Sequence, residues 1–85
     1  MNARDIIARG KNAERVLEIP ELSQTLEAIR MDLFDQFRRT NIVEVEARED
    51  LHRISYALDL FEKKIASYVS QMKFELDKAD RLNDA

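Results

Sequence analysis

The chain has 85 residues, with one Gly, one Pro, no Cys and a net charge of −3, and 36% of its side chains are charged against 45% hydrophobic. This length allows a single domain, the lack of Cys excludes disulfides and thiolate metal sites, and the mild charge lacks the basic excess of a dedicated nucleic-acid binder. No apolar run approaches the ~20 residues that span a bilayer and no signal peptide is visible, so the expectation is a soluble intracellular protein with no membrane partner.

Ala, Leu, Glu, Arg and Lys are abundant. They lose little side-chain freedom on a helix, so the expected fold is all-α. The first predicted helix covers about residues 3–18. Its apolar face, Ile6, Ile7, Ala13, Val16 and Leu17, is broken by Gly10. At Ile19-Pro20 the pattern is interrupted, because proline disfavours helical geometry in the residue before it and suits the first turn of the helix after it.

The second helix is predicted over about residues 20–39. Leu22, Leu26, Ile29, Leu33 and Phe37 recur at helical spacing along one stripe, and Phe34 widens it. Glu27, Arg30 and Asp35 are expected to point elsewhere. A short linker, Thr40-Asn41-Ile42, implies an antiparallel neighbour, and Asn41 with Glu44 fits a capping box.

The third and longest helix is predicted over about residues 43–82. Ala47, Leu51, Ile54, Leu58, Phe61, Ile65, Tyr68 and Met72 alternate steps of four and three, which is a heptad seam. A helix of about 40 residues reaches ~60 Å, whereas the second helix alone covers about half of that. The predicted architecture is therefore an antiparallel helical hairpin with a kinked N-terminal arm and one continuous C-terminal arm, coiled-coil-like and assembled into an oligomeric bundle. Acid-first i,i+4 pairs along the exposed side are Asp35–Arg39, Glu44–Arg48, Glu49–Arg53, Asp59–Lys63 and Asp77–Arg81.

Two helical arms form one seam and no enclosed centre, and small chains without disulfides or metal commonly need oligomerisation. Ile42, Val45, Tyr56, Leu60 and Phe74 fall roughly opposite the seam at about 100° per residue. Such a stripe marks a contact surface, so these five are the candidate oligomer interface.

Sites for chemistry are weaker. Glu49-x-x-His52 has the spacing of di-metal carboxylate bundles, but both residues lie well off the seam that would have to house the ions. Asp32/Asp35 and Glu49/Asp50 lack a cleft or a nucleophile, and Ser55, Ser67 and Ser70 lack an activating partner. No catalytic, cofactor-binding or metal-binding residue is assigned, and no cofactor is expected. Arg38-Arg39 ends the second helix, where cations meet the helix dipole.

RVLEIPEL, LFDQFRRT and EAREDLHRISYALDLFEKKI, from Ala13 to about Tyr68, resemble small all-helical proteins encoded in the head-assembly and packaging regions of tailed phages and prophages. That resemblance implies a structural or packaging accessory, located in the bacterial cytoplasm or the virion, and carries no catalytic residues. The expected function is a non-enzymatic structural or adaptor protein acting through helix–helix self-association, with a homo-oligomer as its first partner. The alternatives are a nucleic-acid-associated packaging subunit and a small metal-binding helical bundle.

Overall fold

The structure, a computed structural model, describes residues 1–83. It consists of three helices: α1 (Ala3–Leu17), α2 (Pro20–Arg39) and α3 (Val45–Asn83). At the start of α1 the Asn2 side chain accepts a 2.9 Å hydrogen bond from the Asp5 amide, satisfying one of the free donors of the first turn. Asp5 itself sits at the positive end of the helix dipole and Arg15 at the negative end.

Between α1 and α2 the chain makes a two-residue elbow. Pro20 forces Ile19 into an extended conformation (ψ 109°), which ends α1 and begins α2 at the proline. The elbow keeps its amides bonded. Glu18 N–H donates to the Glu14 carbonyl at 3.1 Å and Ile19 N–H to the Val16 carbonyl at 3.2 Å, while the Ile19 carbonyl accepts from Leu22 at 3.2 Å.

The corner between α2 and α3 differs from the predicted capping box. Thr40 closes α2, its hydroxyl and amide both donating to the Phe37 carbonyl at 2.6 and 3.1 Å. Asn41 Oδ1 then accepts from the Val43 amide at 3.4 Å, and the Asn41 carbonyl from Glu44 N–H at 2.9 Å. A short Asn side chain bonding its own backbone two residues on makes a turn, and that turn delays α3 to Val45.

α1 and α2 follow one another along α3 and run antiparallel to it, in a molecule of 63 × 24 × 18 Å. The two arms approach α3 differently. α1 lies against the C-terminal half at close range, because its facing positions are the small residues Gly10 and Ala13, both buried. α2 lies along the N-terminal half at a wider separation, since it presents Leu22, Leu26, Leu33 and Phe37; the side chains at a contact set the interaxial distance. Among the described residues the buried apolar side chains are Ala13, Leu33 and Met72, at 4–8% exposure.

Gly10 marks the tightest point. A methyl group at this position would fall on Met72 Cβ and within 2.8 Å of the Tyr68 carbonyl oxygen, neither of which can swing away. Beside it, the Arg9 guanidinium lies 4.0 Å from the Tyr68 ring centroid and donates to Gln71 Oε1. Replacing an open helical Gly by Ala gains about 1 kcal/mol, whereas over-packing costs about 1–3 kcal/mol. Gly10→Ala is therefore expected to lower the urea midpoint despite its better helix propensity. A raised midpoint would show that α1 does not sit this close to α3.

Candidate functional site

On α3, one column of the heptad seam is covered by the chain itself. Leu51, Leu58, Ile65 and Met72 are partly or fully buried, and so are Ser55, Glu62 and Val69 beside them. The other column is covered at Tyr68, under Arg9 of α1, and left open along the α2 half. Ile54 and Phe61 are about half exposed, at 51% and 52%, although the spacing places them in the intrachain seam. The reason is geometric: α1 and α2 together form one rod, which covers one flank of α3. On α2, Leu33 is buried and Leu22 and Leu26 are partly buried, while Ile29 and Phe37 stay more exposed.

An ionic contact that periodicity did not predict fixes which flank is covered. Arg30, expected to face solvent, reaches across to α3 and meets Glu62 at 2.5 Å and Asp59 at 3.5 Å, with Glu27 of its own helix at 3.7 Å. The hydrogen bond that Arg30 donates to the Glu62 carboxylate raises the Arg30 pKa above the ordinary arginine value. A raised cation pKa contributes stability that is present throughout the neutral range and lost only as pH rises through the folded value, so Arg30 introduces no titration near neutrality. The signal available in sequence was its position, one residue after Ile29 and so at the edge of the α2 stripe.

Arg30 also divides the cleft between α2 and α3. On the elbow side is an open apolar crevice of about 650 Å³, lined by Leu17, Leu22, Leu26, Ile65 and Ala66 among others. On the corner side is one of about 420 Å³, with Leu33, Phe34, Phe37, Leu51 and His52 in its walls. Phe37 is roofed by the Arg48 guanidinium, 4.4 Å from its ring centroid, so Arg48 stacks on the corner instead of pairing with Glu44.

All five residues of the candidate oligomer stripe lie on the surface. Ile42 and Phe74 are the most open, at 78% and 67%, and Val45, Tyr56 and Leu60 are also exposed. The structure brings none of them together with the seam.

The charged corner holds ion pairs. Arg53 meets Asp50 at 2.8 Å and Glu49 at 3.5 Å, and at the far end of α3 Asp77 meets Arg81 at 3.0 Å. Asp59 turns to Arg30 and not to Lys63. His52 is exposed, and among the described residues no three His, Cys, Asp or Glu side chains are grouped to hold a metal ion. No helix among them is long and apolar enough to cross a membrane. Comparison with protein-family models, curated proteins and solved structures finds no significant match to this chain.

Half-exposed ion pairs are screened by salt, so Arg30→Gln is expected to reduce stability modestly at low ionic strength and less at 1 M salt. Urea unfolding at the two salt concentrations measures this. An equal loss at both would assign Arg30 a packing role through its aliphatic stem.

Proposed function

We propose that this is a non-enzymatic structural or adaptor protein whose activity is self-association through helix faces. The observation that carries the reading is the disproportion between its core and its surface. Among the described residues three apolar side chains are buried, while Phe34, Tyr56, Phe61 and Phe74 are each more than half exposed. Contiguous exposed apolar surface on a soluble chain marks an interaction site, and long helices with an open stripe associate by burying it.

In this reading the seam folds each subunit and the stripe of Ile42, Val45, Tyr56, Leu60 and Phe74 joins copies. The setting we propose is the assembly or packaging of a phage or prophage particle, in the bacterial cytoplasm or the virion, and it rests on the resemblance of the Ala13–Tyr68 segment. The charge balance supports protein contacts over phosphate contacts: Arg38 and Arg39 share their shallow surface site with Asp35.

Leu60→Glu places a charge in the middle of the stripe without touching the α1 or α2 contacts. Its expected effect is a lower oligomeric order by chromatography with light scattering, with the helical circular dichroism retained. An unchanged mass would remove the stripe from the interface.

A further inference from the structure

We propose that a second copy of this chain docks antiparallel on the open column of the α3 seam, about a two-fold axis at Ala57. The proposal rests on the self-association reading and adds to it a second face of α3, centred about 110° around the helix from the stripe and adjoining it at Leu60.

The surface is defined by elimination. Leu51, Leu58, Ile65 and Met72 are turned to α1 and α2, while Ile54 and Phe61, three residues further along each repeat, are half open. Along the α2 half the seam thus has one column covered and one bare, the form of a helix that packs against two partners. Arg30, Asp59 and Glu62 meet on one side of the α2–α3 contact. Ile29, one position back from Arg30 and so about 100° around α2 from it, is exposed and falls on the other side of that contact. Ile29 on α2 and Ile54 and Phe61 on α3 are thus the exposed apolar residues that the two arms offer on this side.

Charge decides the occupant and its direction. Asp50 and Lys64 stand seven residues before and after Ala57, and with it they flank the open column on its outer side. An antiparallel copy centred on Ala57 sets Asp50 beside Lys64 of the second copy, and Lys64 beside its Asp50. The same register brings Ile54 to within one residue's rise, about 1.5 Å, of the copy's Phe61, and Phe61 likewise to its Ile54. A parallel copy in register would set Asp50 against Asp50 and Lys64 against Lys64, which is repulsive. At the axis, Ala57 meets its own image, and a small residue there lets the two helices approach. Asp50 already carries Arg53 but remains mostly exposed, so it is free to accept a second cation.

Because the chain has no cysteine, a single introduced thiol reports a single contact. In the full-length chain, Ala57→Cys treated with copper–phenanthroline is expected to form a disulfide-linked dimer at least about tenfold faster than His52→Cys, whose site lies on the Arg30 side. Equal rates would overturn the proposal. Asp50→Lys is expected to weaken the dimer on the order of tenfold, and the double variant with Lys64→Asp to restore it. Failure of the double variant to recover would likewise overturn the register. Should Leu60→Glu dissociate the oligomer while these variants leave it unchanged, the Ala57 surface falls and self-association stands. Should the unmodified chain have the mass of one subunit at all concentrations, both fall.

Discussion

A helix of 39 residues cannot be covered by one of 20, and the rest of the structure follows from this mismatch. Two shorter helices must be laid end to end along α3, so the chain needs a break that changes direction little. Pro20 supplies it, with Ile19 as the one extended residue between two helices. The composite arm is a single rod, however, and a single rod can shield only one flank of the helix it lies on. The other flank keeps its apolar residues in water. The elongated shape, the thin core and the open column of Ile54 and Phe61 are consequences of the same shortfall.

The two contacts that locate the rod are chemically different. Gly10 and Ala13 bring the α1 backbone against Tyr68 and Met72, where dispersion contact depends on the lack of side-chain bulk. Arg30 holds α2 from the side by charge, reaching past leucines that keep the helices apart. Stiff anchoring at one end and a wider, ionic contact at the other explain why the crevices lie beside α2.

Much of this was legible in the apolar spacing. The recurrence of Leu22, Leu26 and Leu33, and of Leu51, Leu58 and Ile65, locates the helices and their antiparallel pairing. The proline and the length comparison account for the composite arm. Periodicity describes a helix face only to within about one side-chain width, which is why Ile54 and Phe61 could not be separated from their buried neighbours. That separation depends on Arg30, whose pairing with Glu62 and Asp59 is a tertiary fact between residues about thirty apart in the chain. Asn41 illustrates a second limit. A capping box and an Asn turn use the same residue, and only the backbone path through Val43 and Glu44 tells them apart. Gly10 left a signal in its uniqueness: the sole glycine lies inside a helix, three residues before an alanine on the same face.

The placement of Gly10 also has a bearing on how the molecule assembles itself. Its partner, Met72, is 62 residues away along the chain, whereas α2 and the first half of α3 meet across a five-residue corner. Loop-closure entropy grows with the logarithm of the enclosed length, so the corner is expected to close early and α1 last. By the same reasoning α1 is the first element to leave when the fold loosens. The best-packed helix of the native molecule is then also its most conditional one, since its contacts form only after the rest of α3 has been held in place.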